Sequence, residues 1–163
     1  MQPMQASPLR TLRLVITTAA GSLIVFFVVL IAMGLDLRRP ELLWLALPLL
    51  LGLADLALVP AVGSTVRPLP HDVGEADARR ISLGVMNTVT MLRFALAEAP
   101  ALFGLVAAFA SHSLLPYIIG FGFAVPLLLL FAYPRTTVVD GIRGALESAG
   151  ARSHLWDALS RRP

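Results

Sequence analysis

The chain has 163 residues, 57% of them hydrophobic and 14% charged, with a formal net charge of +3 and a mean hydropathy of +0.80. A soluble globular domain carries roughly 25% charged residues, so this composition points to a membrane protein. There is no cysteine, which excludes disulfides, thiolate chemistry and cysteine-ligated metal or iron–sulfur centres. All thirteen basic residues are arginine. With the abundant Ala, Leu, Gly and Pro, that is the composition of a GC-rich bacterial genome. The arginines fall at segment ends and not in a patch suited to nucleic acid, so they read as topology signals.

After a polar lead carrying Arg10 and Arg13, residues 14–35 form the first predicted span. Its apolar run exceeds the roughly 7–15 residues of a signal-peptide core and no small-residue cleavage site follows, so an uncleaved anchor is expected. Thr17, Thr18, Ala20, Gly21 and Ser22 offer a face for close helix approach. The connection Asp36 to Glu41 contains Arg38 and Arg39 and leads into a second span over 42–62, with Trp44 near its start as an interfacial anchor. This span holds Pro48, Pro60 and a carboxylate, Asp55.

Residues 63–80 are the longest polar stretch. Asp72 and Glu75 have capping-box spacing, which predicts a helix start near Val73. Ile81, Val85, Val89 and Leu92 then recur at helical spacing, so one long helix is expected to run from an amphipathic extension into a third span over 93–110. That span, RFALAEAPALFGLVAAFA, carries Glu98 and a kinking Pro100. The turn 111–116 precedes a fourth span over 117–133, with Tyr117 and Tyr133 as interfacial anchors, Gly120, Gly122 and Ala124 as close-packing positions and Pro126 as a kink. Val138, Ile142, Ala145, Leu146 and Ala149 predict an amphipathic tail helix ending at Gly150, with LWDAL as a further turn.

The predicted architecture is therefore all-α: an integral membrane four-helix bundle over residues 1–134, followed by a cytoplasmic or interfacial tail over 135–163. With the N-terminus inside, eleven arginines lie on the inner side and two, Arg38 and Arg39, on the outer. The positive-inside rule then puts both termini in the cytoplasm of a bacterial cell, the chain being multi-pass in the inner membrane.

Ionisable groups within spans cost several kcal/mol when they face lipid, so Asp55 and Glu98 are the candidate functional groups. Asp55 lies about 10 Å above the inner end of its helix and Glu98 about 7.5 Å above Arg93, at similar depth. Side by side, Asp55 and Glu98 could share a proton or hold a cation, with Arg93 as counter-ion, or serve as interhelical hydrogen-bonding groups. Pro100 frees the carbonyl of Leu96 close to Glu98. His71, His112 and His154 fall in separate segments, so they are not expected to converge on a metal or a nucleophile, and neither a cofactor nor an enzymatic activity is expected.

Glu98, Ala99, Gly104, Leu105, Val106 and Ala108 resemble the carboxylate-bearing helix of the proteolipid c subunits of rotary ATP synthases. The resemblance implies that Glu98 carries a translocated proton or sodium ion. That family pairs the helix with one of alternating glycines, which neither of the first two spans contains. Arg93, Ala95, Leu96, Glu98 and Pro100 also resemble an R-x-A-L-x-E-x-P/G segment of small four-span bacterial membrane proteins, which implies a fold and no activity.

The function expected from the residues is that of a structural or accessory component. Its partners would be the lipid bilayer and a second copy or another membrane protein, not nucleic acid. It would assemble through the small faces Ala97, Ala101, Gly104, Ala108, Gly120 and Ala124. The alternative is a proton- or cation-coupled transport component using Glu98 and Asp55.

Overall fold

A computed structural model of the chain describes residues 8–160. Among these residues six α-helices follow one another: α1 Pro8–Ala32, α2 Leu42–Ala61, α3 Glu75–Ser111, α4 Leu115–Leu127, α5 Thr136–Leu146 and α6 Leu155–Ser160. Among the described residues there is no strand beyond one bridge pairing Asp36 with Ser113. Among the described residues four helical segments, including α2 with its 3-10 turn Val62–Thr65 and α4 with its π turn Leu128–Ala132, are long and apolar enough to cross a membrane.

α3 is the axis of the molecule. At about 1.5 Å per residue its 37 residues extend roughly 55 Å, nearly twice the hydrocarbon thickness of a bilayer. It passes through Pro100 unbroken. Its start differs from the expected capping box. Gly74 takes the cap position with extended backbone, its carbonyl accepting from Ala78 N–H at 2.9 Å, and no side chain caps the helix. Asp72 belongs to the preceding turn and so cannot reach the first free amides.

Two hydrophobic cores are strung along α3. The upper one joins the second half of α3 to α1, α2 and α4 through Leu23, Leu30, Val59, Ala97, Ala101, Ala108, Tyr117, Ala124 and Leu127. The lower one joins the first half of α3 to α5, α6 and the start of α1 through Leu12, Met86, Val138, Ile142, Leu146, Leu155 and Leu159. The tail is thus built into a second core, and Leu69 N–H bonds Leu146 C=O at 2.9 Å to close it. α5 ends at Leu146, earlier than Gly150, because Glu147 to Gly150 turn and Gly150 adopts φ +92°, a left-handed geometry that glycine takes without strain.

α3 and α4 form the tightest pair. A Cβ on Gly104 would lie 2.6 Å from Pro116 O, and one on Gly120 would overlap Pro100 O. Ala97, Ala101, Gly104, Ala108, Gly120 and Ala124 are all buried, and they pack inside this chain. By contrast, a Cβ on Gly21 would meet nothing, so the small residues there mark no close helix approach.

Tyr117 is also not an interfacial anchor. It is fully buried, packs with Phe27 and Phe121, and donates its hydroxyl to Leu23 O at 2.6 Å, which satisfies the polar tip inside the bundle. Tyr133 is half-buried, with the Arg13 guanidinium 5.9 Å from its ring centre. At the far end of the bundle, Leu114 N–H bonds Asp36 O at 2.8 Å and Ser113 Oγ donates to Arg38 O at 2.6 Å, tying the two connecting loops together.

Candidate functional site: the polar groups of the bundle

α2 presents Pro48, Gly52, Asp55 and Val59 as its buried stripe, spaced at three and four residues. Gly52 admits the ring of Phe123 from α4, and one turn on, Asp55 is only 3% exposed. Its Oδ2 has no hydrogen-bond partner. A buried carboxyl oxygen left without a hydrogen bond is costly.

Glu98 is half-buried and lies elsewhere on the circumference of α3. It follows Met91 by seven residues, hence on the same face, and Met91 lines a cavity with Thr11, Leu12 and Val15 of α1. Glu98 is also within electrostatic range of Tyr117, whose hydroxyl reaches α1. Val89, nine residues before Glu98, points the opposite way. It lines a cavity with Thr65 and Val66, which follow α2. By helical periodicity Glu98 thus shares the face of α3 that carries Met91, opposite the face of Val89.

Arg93 is 9% exposed. Its guanidinium occupies the space a side chain on Gly63 would need, and Nη1 donates to Phe131 O at 3.5 Å, within the π turn. Nε is buried without an acceptor. No ion pair joins Arg93 to Asp55 or Glu98 among the described residues. Among the described residues no hydrogen bond or ion pair joins any two of Asp55, Glu98 and Arg93. Pro100 serves the α3–α4 contact through its carbonyl against Gly120.

The lower core carries its own polar network. Glu147 accepts from Ser153 N–H at 3.0 Å, Ser153 Oγ at 2.7 Å and Arg143 Nε at 3.0 Å. Burial opposes its charge, but the two Ser153 bonds and Arg143 outweigh burial and hold the carboxyl below its ordinary range. Ser82 Oγ donates to Ser153 O at 3.0 Å and Trp156 Nε1 to Asp140 at 2.8 Å.

The separation expected for the histidines does not hold for two of them. His71 and His154 line one cavity of about 120 Å³ together with Glu75 and Arg152, because the turn after α5 folds back onto the segment before α3. His112 stays apart, ending α3 in a left-handed conformation. No group of three among the described His, Asp and Glu is placed to hold a metal. Sequence spacing carried no signal for the Gly52–Phe123 and Gly63–Arg93 contacts or for the cavity that His71 and His154 both line.

The chain matches no protein-family model, no curated protein and no solved structure.

Proposed function

We propose that the chain is a multi-pass protein of the bacterial inner membrane with both termini in the cytoplasm, acting as an accessory component that holds a folded helical module against the inner face. The observation that carries this reading is α3, which runs unbroken from the upper core through the lower one. A single helix shared by two cores transmits position without a flexible joint. The excess of arginine at the lower end supports the orientation. Since the small faces of α3 and α4 are consumed within the chain, a second copy or membrane partner would meet the apolar outer faces of α1 and α2, whose most apolar stretches are only 17% and 22% buried.

The absence of native cysteine makes the orientation directly testable. Ser148→Cys and Arg39→Cys, each labelled with a membrane-impermeant maleimide in intact cells, should give labelling at position 39 alone. The accessory role predicts proteoliposomes without proton or cation flux under imposed gradients. It also predicts Asp55→Asn and Glu98→Gln variants whose stability and oligomeric state change together.

A second reading, a proton- or cation-coupled component, is favoured by the partnerless Asp55. Flux through the wild type that Asp55→Asn abolishes without loss of fold would replace the first reading with this one.

A further inference from the structure

The tail is joined to the bundle by a short extended segment. After the π turn, Tyr133 and Arg135 take extended backbone, and α5 begins at Thr136. Among the described residues only two side-chain hydrogen bonds reach residues 128–135, and arginines give both. Arg93 of α3 donates from Nη1 to Phe131 O at 3.5 Å, and Arg13 of α1 donates from Nη2 to Pro134 O at 3.4 Å. Arg13 also lies against the Tyr133 ring, so it holds the linker by a carbonyl and by a π face.

α1 is otherwise lightly seated. From Leu9 onward its buried residues are Leu12, Ile16, Leu23 and Leu30, one stripe along its length, and the others are exposed or half-buried. Leu12 belongs to the lower core and Leu23 and Leu30 to the upper, so α1, like α3, passes through both. Between the two its packing is incomplete. Thr11, Leu12 and Val15 border a cavity of about 430 Å³ with Met86 and Asn87 of α3 and Leu159 of α6, and a Cβ on Gly84 in the same wall would meet nothing. Surface facing a void forfeits its dispersion contacts, so this end of α1 is held less firmly than a fully packed helix. Arg13 stands at this weak point, one residue after Leu12.

We infer that Arg13 is a latch that makes the seating of α1 and the order of the tail one cooperative event. When α1 leaves its seam, Arg13 leaves Tyr133 and Pro134, and the linker and α5 loosen with it. α3 fixes where the lower core stands, and the latch ties that core to the helix whose outer face is open. In the accessory role this gives a membrane partner on α1 a route to the tail. That use rests on the role proposed above, whereas the coupling is a property of the chain alone.

Hydrogen exchange of the full-length chain in detergent tests the coupling. Arg13→Gln should speed exchange at residues 136–146 and at the inner end of α1 about two- to fivefold, the effect of losing one cation–π contact. Arg10→Gln, which removes the same charge from an exposed position one turn away, should leave both unchanged. Leu30→Ala, at the far end of the seam, should speed exchange at residues 136–146 in the wild-type background and add little once Arg13→Gln is present. Should Leu30→Ala fail to fold, Tyr133→Leu decides: its effect should be lost in the Arg13→Gln background. Exchange at residues 136–146 that Arg13→Gln leaves unchanged, or an effect of Leu30→Ala or Tyr133→Leu that persists in full beside it, overturns the proposal. Either failure leaves the labelling and flux tests of the accessory role untouched.

Discussion

The upper and lower cores are built from the same helix, α3, by opposite means. In the upper core the close contacts are backbone against backbone: Gly104 on Pro116, Gly120 on Pro100, with alanines between them. Leu23, Leu30, Leu127 and Leu128 are buried there, but many large aliphatic side chains point outward, as Ile24, Val25, Leu50 and Val106 do. In the lower core they point inward: Val139, Ile142, Leu146 and Leu155 are buried, and α5 and α6 expose no large apolar side chain. The outside of the lower core is polar, with Arg143, Glu147 and Asp140 on α5 and the turn after it. The contrast is the one expected if the upper half faces lipid and the lower half water, the placement proposed above. Lipid exerts no hydrophobic force between helices, so close packing of small residues must hold them, whereas water drives large side chains inside.

The comparison breaks most visibly if each core is attacked by the means that built it. Leu146→Ala empties the centre of the lower core and should cost about 2–5 kcal/mol. Limited proteolysis should then cut residues 136–160 while the bundle survives. Gly120→Leu should cost about 1–3 kcal/mol or more by driving a side chain into the Pro100 carbonyl. It should lower the melting temperature in detergent with the lower core still protected. If Leu146→Ala and Gly120→Leu each unfold the whole chain in one transition, α3 couples the cores too tightly for them to be separate units.

Smaller changes sharpen the contrast. Tyr117→Phe removes the bond to Leu23 O and should cost about 0.5–1.5 kcal/mol in the upper core, measured by thermal unfolding in detergent. In the lower core, Glu147 has a lowered pKa when folded. Its stabilisation is complete above the unfolded carboxylate value and is lost as pH falls through the folded one. Proteolysis of the tail should accelerate on acidification, and Glu147→Gln should flatten that dependence. Smallest of all, Gly141→Ala on the open face of α5 should stabilise by about 0.4–1 kcal/mol, since a Cβ there meets nothing. Gly104→Ala, with Pro116 O at 2.6 Å, should do the reverse.

Much of this was legible from residue order. The four apolar segments, the amphipathic Ile81, Val85 and Val89 and the Val138, Ile142, Leu146 stripe are all local patterns, and local patterns suffice to form helices and choose their buried faces. The boundaries moved where turns intervened, at Gly74 and after Leu146. Asp55 was recognisable as a buried carboxylate because eight apolar or small residues surround it on its own helix.

What the sequence determined by itself, then, is the number of helices, their apolar lengths and the charge asymmetry between their ends. Only the tertiary structure decided that Gly52 meets Phe123 and that Arg93 lies against Gly63 with no ion pair among the described residues. It also decided that the small residues of α3 and α4 meet one another within the chain. The reason is rotational. A helix's own periodicity says which residues share a face, but which neighbour that face meets depends on how several helices pack around one another, and that is settled by contacts between residues far apart in the chain.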